Sequence, residues 1–192
     1  MDSWREFEQH LVEIDSDHKL VMKQSIYKVP ASVKDLNPKA YIPQLVTFGP
    51  YHCNYERVTE MDVHKRRALN HFIKNSRKPF LVYENAMKKI QHELMASYES
   101  LDVNLHSSAD KFLQHMLLDG CFMLEILRAN IEIKYPGDKY GDYSETDPIF
   151  SYQGTMNVMP YIRTEMLMLE NQLPMILLLK LLKVEAAVDI IK

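Results

Sequence analysis

Three groups of side chains in this 192-residue sequence have the residue types that chemistry requires. His52 stands beside Cys53, and His115 stands four residues before Asp119. Glu170, Asn171 and Gln172 form a polar trio inside LMLENQLPMILLLKLL (167–182), the most apolar stretch of the chain. A histidine and a carboxylate four apart share a helix face and can touch. That spacing suits a general base with its orienting acid, and it suits a plain intrahelical hydrogen bond at least as well. Asp119 and Glu125, six apart, point about 120° away from each other on a helix, which is poor geometry for one reaction centre. His64 and His71 share a face two turns apart, too far to bind one metal ion. Phosphate-binding loops, nucleophile elbows and zinc-protease helices are missing. The spacings therefore assign no catalytic residue, no metal ligand and no cofactor.

The trio has a physical explanation in Pro174. Proline has no N–H, and its ring collides with the carbonyl four residues earlier, here that of Glu170, so a continuous helix must break and free backbone groups in an apolar setting. Asn171 can cap a helix restarting near Pro174, while Glu170 and Gln172 can bond freed backbone groups or a neighbouring loop, each bond adding about 0.5 to 1.5 kcal/mol net. The trio is expected to be a buried structural joint, the alternative being a ligand-holding site.

Positioning such groups requires a folded unit. A hydrophobic share of 46% and a charged share of 26% fit a single domain with a sizeable core, neither disordered nor fibrous. The net charge of −3 offers no broad footprint for nucleic acid, and HKRR (64–67) is the only basic cluster. Cys53 and Cys121 form no CxxC pair, which favours a reduced, cytosol-facing environment over a zinc site or disulfide framework. The opening MDSWREFEQH lacks the apolar segment of a secretory signal, and the run 173–179 falls far below the roughly 20 residues that cross a bilayer.

Periodicity gives the elements. Trp4, Phe7, Leu11, Ile14 and Val21, with His18 in the same stripe, define an amphipathic helix docked on its own domain. Pro30, Pro38, Pro43 and Pro50 recur too often for a long helix, so Ile26, Val29, Leu45, Val46 and Phe48 are expected in two short strands with turns. A helix follows from a Thr59–Asp62 capping pair, with Met61, Ala68, Leu69, Phe72 and Ile73 inward and HKRR mostly on the solvated side. A second long helix carries Tyr83, Met87, Ile90, Leu94, Tyr98 and Leu101. A third, opened by Ser107 or Ser108, is apolar on most sides and is expected to be central, burying Phe112, Leu113, Met116, Leu117, Phe122, Leu124 and Leu127. Gly120 within it costs about 1 kcal/mol against alanine, which suggests close approach of a neighbouring backbone. Residues 134–154 read as a solvated surface loop; Asp138, Asp142, Glu145 and Asp147 lack an EF-hand register. The fold class is mainly α: a helical domain with a small two-stranded extended element near the N-terminus and a long surface loop.

The blocks IYKVP (26–30), NPKAYIPQLVTFGPYH (37–52), MDVHKRRAL (61–69), LLDGCFMLEILR (117–128) and MLMLENQLPMILL (166–178) resemble, in order, those of the plant domain of unknown function 247 family. The landmarks are the turn Gly49, Pro50, Tyr51, His52; the helical run Asp119, Gly120, Cys121, Phe122; and the joint Glu170, Asn171, Gln172, Pro174. Cys53 and Asn54 stand where members often have histidine and glycine, Arg66 stands at a frequent aromatic, and Glu165 at a frequent aspartate. The resemblance implies that residues 1–192 are the N-terminal portion of a longer protein with a variable second half and a C-terminal membrane segment, and the chain stops at VEAAVDIIK as though cut within a helix. It also implies no established activity. The expected role is a noncatalytic recognition module for protein partners on the cytoplasmic side of a membrane, in signalling or self-recognition. The alternative is a small-molecule enzyme or binder built on GPYH and the ENQ joint, which would need a pocket lined jointly by Tyr51, His52, Asp119 and Glu170.

Overall fold

A computed structural model of the protein describes residues 25–53, 60–101, 109–132 and 143–187. The amphipathic stripe of residues 4–21, the cap at Thr59, the helix opening at Ser107 or Ser108 and the acidic pair Asp138 and Asp142 lie outside the described residues.

The fold is mainly α and is organised around the helix that the sequence marks as apolar on most sides. We number the helices in chain order: α1 Ala31–Lys34, followed by a 3-10 turn Pro38–Tyr41, α2 Glu60–Ser76, α3 Phe80–Lys89, α4 Gln91–Ala96, α5 Ala109–Glu132, α6 Tyr152–Asn157, α7 Met159–Met166 and α8 Met175–Ala186. Helix α5 packs on α2, α3 and α8, and α3 packs on α8, so α5 is central. Phe112, Leu113, Met116, Leu117, Phe122 and Leu124 are buried as expected. Leu127 is not: it is 43% exposed, because the cover over α5 ends on its side among the described residues. At Gly120 the close neighbours are side chains and not a backbone. A Cβ there would lie 2.7 Å from Leu181 Cδ1 and 3.1 Å from Leu177 Cδ2, so the glycine lets α8 seat its leucines against α5.

The long helix expected over residues 83–101 is divided. Ile90 leaves helical geometry (φ −109°, ψ 10°) between α3 and α4. The break keeps Met87, Ile90 and Leu94 all in the core and brings Ser97 and Tyr98 to the N-terminal segment. There the expected extended element takes the form of one isolated parallel bridge, Ile26 with Tyr98. Ile26 N–H donates to Ser97 O at 3.0 Å, and Glu99 N–H donates to Ile26 O at 3.0 Å.

Residues 143–151 are more enclosed than a solvated loop. Tyr143, Ile149 and Phe150 are buried; Phe150 meets Phe122 edge-on at 6.1 Å and stacks on Tyr143 at 4.2 Å. Asp147 is buried too, accepting N–H bonds from Ile149 and Phe150 at 2.8 Å each and pairing with Arg67 at 2.8 Å. Aromatic residues spaced through a polar segment tie it to the core, an outcome that the segment's Gly, Pro and Asp content conceals. Among the described residues no helix is long and apolar enough to cross a membrane.

Candidate functional site

The three landmark motifs converge on Phe48 and Gly49. Asp119, fully buried in the middle of α5, holds the first side of this junction. Its Oδ1 lies 2.6 Å from Lys65 Nζ, its Oδ2 accepts the Gly49 N–H at 2.9 Å, and His115 Nε2 lies 3.2 Å from Oδ2. Lys65 also donates to Thr47 O at 2.6 Å and lies over the Phe48 ring at 5.6 Å. The expected placement of HKRR on the solvated side is therefore wrong for Lys65, which is sealed in the core, while Arg66 is exposed and His64 and Arg67 are half-buried. A buried charge persists only where it is paired and hydrogen-bonded, and this one is both. Burial alone would push the Asp119 carboxyl upward, but the Lys65 ammonium and the His115 imidazolium outweigh it and hold it below the usual carboxylate range. Burial also opposes charge on His115, yet Asp119, aided by a hydrogen bond with Cys53, raises that histidine to about 10.

The second side is the joint. The helix breaks where Pro174 predicts: α7 ends at Met166 and α8 begins at Met175, with Pro174 extended (φ −69°, ψ 139°) as its N-cap. Asn171 does not cap α8. Its Oδ1 accepts the Phe48 N–H at 2.6 Å, and its Nδ2 donates to Val46 O at 3.1 Å and Glu165 O at 2.9 Å. Glu170 adopts a left-handed backbone (φ 67°) and turns its carboxylate to the N-terminal segment, where it accepts the Val29 N–H and a Lys34 ammonium proton, each at 2.6 Å. Gln172 takes part through its carbonyl, which accepts the Tyr98 hydroxyl at 3.0 Å. Asn171 thus satisfies the irregular chain at 46–48 and Glu170 the N-terminal segment, and neither serves the start of α8. Glu165 completes the arrangement. Its carboxylate accepts N–H bonds from Gln44 at 2.6 Å, Leu45 at 2.8 Å and Val46 at 2.6 Å, three donors that no sheet partner serves.

The turn itself is shaped by the same neighbours. Gly49 has φ +69°, and a Cβ on it would lie 2.8 Å from both Gln172 O and the Tyr98 hydroxyl, so only glycine fits. Pro50 is buried. Tyr51 donates to Glu99 O at 2.7 Å and meets Tyr98 edge-on at 5.5 Å; burial, with the Glu99 charge, pushes its hydroxyl up to about 12. His52 Nε2 lies 3.8 Å from Glu170 Oε2, but burial lowers its pKa and favours the neutral ring. Phe122 stacks on Phe48 at 6.1 Å. Cys121 is fully buried and its thiol is pushed well up by burial; Cys53 is half-buried, and both cysteines are free.

Asp119 and Glu125 serve separate clusters, as their angular separation on a helix requires. Glu125 Oε2 lies 2.7 Å from His71 Nδ1 and accepts the Tyr143 hydroxyl at 3.0 Å. Tyr51, His52, Asp119 and Glu170 line none of three clefts formed by the described residues. Asp119 and Glu170 are both sealed, but Asp119 binds the Gly49 N–H whereas Glu170 binds Val29 and Lys34 of the N-terminal segment. Those three clefts lie elsewhere: about 630 Å³ along residues 145–158, about 370 Å³ between α4 and the start of α8, and about 160 Å³ between α3 and α5. Among the described residues no cluster of three or more histidine, cysteine and acidic side chains could hold a metal ion.

The comparisons agree with the motif order. The pattern of the DUF247 family, described as a plant protein of unknown function, matches residues 26–190. The UPF0481 protein At3g47200 of Arabidopsis thaliana is 34% identical over 160 residues, covering 80% of this chain and 30% of that protein. The putative UPF0481 protein At3g02645 of the same plant is 23% identical over 167 residues, covering 83% of this chain and 27% of its own length. The chain thus spans under a third of the length of these relatives. No solved structure matches.

Proposed function

The chain belongs to the plant DUF247 family, and we propose that it is a noncatalytic recognition module that binds protein partners, in signalling or self-recognition. One observation carries this reading: the buried polar side chains of the three motifs are engaged by backbone groups and by internal ion pairs, and the segments they hold display aliphatic side chains to solvent. Leu167 is 80% exposed and Leu169 55% in the joint, and Ile42 and Leu45 are exposed on the facing segment whose N–H groups Glu165 accepts. Apolar side chains held at fixed positions lose little entropy on docking, which is the economy of a binding surface. On this reading, longer members would hold the module on the cytoplasmic side of a membrane through a C-terminal segment, as the resemblance implies.

The test is comparative capture from plant tissue with the wild-type chain, Leu167→Asp/Leu169→Asp, and Val63→Glu as a control at an exposed site on α2. The reading expects one set of proteins retained by wild type and control and lost by the double variant, with all three chains equally folded. Identical capture by all three would refute it.

A further inference from the structure

We propose that the recognition surface takes an acidic, leucine-rich segment of a partner protein, whose carboxylates meet Arg163 and Lys39 while its apolar side chains cover Leu36, Ile42, Leu167 and Leu169. The proposal rests on the recognition reading and adds the chemistry of the partner. Two buried carboxylates build the surface. Glu165 accepts the N–H groups of Gln44, Leu45 and Val46, and Glu170 accepts the Val29 N–H and pairs with Lys34, so residues 29–46 are pinned to the joint at both ends. Exposed aliphatic side chains stand between the pins on both stretches of chain. Leu167 and Leu169 belong to the joint, and Leu36, 85% exposed, and Ile42 to the segment that it holds.

The same pins sort the charges. Both carboxylates of residues 159–170 turn inward, and Glu170 pairs with Lys34, so the cations left over are Lys39 and Arg163. Lys39 is exposed; Arg163 is half-buried on α7, one turn before Leu167 and on the same face. Neither has an ion-pair or hydrogen-bond partner among the described residues, and Arg163 Nε is sealed without an acceptor. Asp35 is the exposed acid of the two stretches. A chain of net charge −3 therefore presents, beside its exposed leucines, two unpaired cations against one acid. A guanidinium fork without an acceptor matches a carboxylate bidentately, and the pair strengthens as apolar neighbours exclude water. A wholly apolar partner would bury Arg163 unpaired, which costs desolvation with no return, and a basic one would add repulsion. An anionic bilayer fits less well, because each basic side chain adds only a small attraction to it and two are too few to hold a chain at its surface.

The test titrates the full chain against two labelled synthetic peptides of equal length, one of alternating glutamate and leucine pairs and one of alternating lysine and leucine pairs, and against phosphatidylcholine vesicles with and without phosphatidylserine. The net charge of the chain favours the lysine peptide, so a preference for glutamate reports the local face. The glutamate peptide should bind wild type about tenfold or more tighter than the lysine peptide and weaken as salt is raised. Lys39→Glu/Arg163→Glu should remove that preference, Leu167→Asp/Leu169→Asp should abolish binding, and Val63→Glu should change neither. No preference for the glutamate peptide, no binding of it, or tighter binding to the phosphatidylserine vesicles overturns the proposal from wild type alone, whether or not the variants fold. If the peptides bind alike while Leu167→Asp/Leu169→Asp still loses the proteins captured from tissue, the recognition reading stands and only the partner chemistry falls. If that double variant captures the same proteins as wild type, the recognition reading falls and the proposal with it.

Discussion

Lys65 Nζ and Asp119 Oδ1 lie 2.6 Å apart with neither side chain reaching solvent, and this ion pair joins α2 to α5 beneath the Gly49 turn. Removing one partner would strand the other charge in the core. Lys65→Met should cost about 3 to 5 kcal/mol, and Lys65→Met with Asp119→Asn should cost less than the sum of the single changes. Urea melts of the four chains check both statements; strictly additive losses would contradict the pairing.

The ion pair between His115 and Asp119 predicts a pH signature. The folded chain holds the His115 proton up to about pH 10, whereas an unfolded histidine releases it near 6.5, so the stabilisation is complete below 6.5 and fades as pH rises to about 10. Asp119 works in the opposite direction: its folded value is depressed, so its contribution is present above the ordinary 3.8 and is lost as pH falls below that through the folded value. The melting-temperature difference between wild type and His115→Gln should therefore be largest at about pH 4 to 6.5 and shrink towards pH 10. Thermal melts over that range decide it; a difference that grows above pH 6.5 would be contrary.

Gly49→Ala should be among the most damaging small substitutions in the chain. It requires a left-handed backbone and places a methyl 2.8 Å from the Gln172 carbonyl oxygen. Gly120→Ala meets only leucine side-chain ends, so its overpacking cost of about 1 to 3 kcal/mol is partly offset by about 1 kcal/mol of helix propensity. Chemical melts should rank Gly49→Ala well below Gly120→Ala in stability.

Leu117→Ala, deep in α5, should cost about 2 to 5 kcal/mol, while Leu127→Ala at the exposed end should cost within about 0.5 kcal/mol. Equal losses at the two sites would show that Leu127 is covered in solution.

Much of this arrangement is legible in the residues. The run 112–127, apolar on most sides, identifies the central helix although Leu127 is exposed, and Pro174 announces the break beside Glu170, Asn171 and Gln172. What pairs with what is harder to read, since period and propensity describe one segment at a time. Yet Lys65 carries a signal: it follows Met61 by four and precedes Ala68 by three, the phase of the buried face, and a carboxylate at Asp119 on an all-apolar helix requires a cation. Glu165, three after the buried Ile162, lies in phase in the same way. The irregular stretch 44–48 is illegible as such, because its N–H groups are satisfied by side chains about 120 residues distant and not by a strand whose pattern could be seen. The same reasoning explains why β-branched and aromatic residues there suggest strands without forming a ladder.

The measurement that tests the account most directly is stability and partner binding taken together for Asn171→Ala and Leu167→Asp. Asn171→Ala strands the Phe48 N–H and the Val46 and Glu165 carbonyls, so it should lose at least about 2 kcal/mol, more than a missing cap, at about 1 to 3 kcal/mol for each unsatisfied buried group. Binding per folded molecule should be unchanged. Leu167→Asp should do the reverse, leaving urea melts unmoved and abolishing capture of the partner. If Asn171→Ala instead abolishes binding with its stability intact, the joint is a binding site and not a structural clamp.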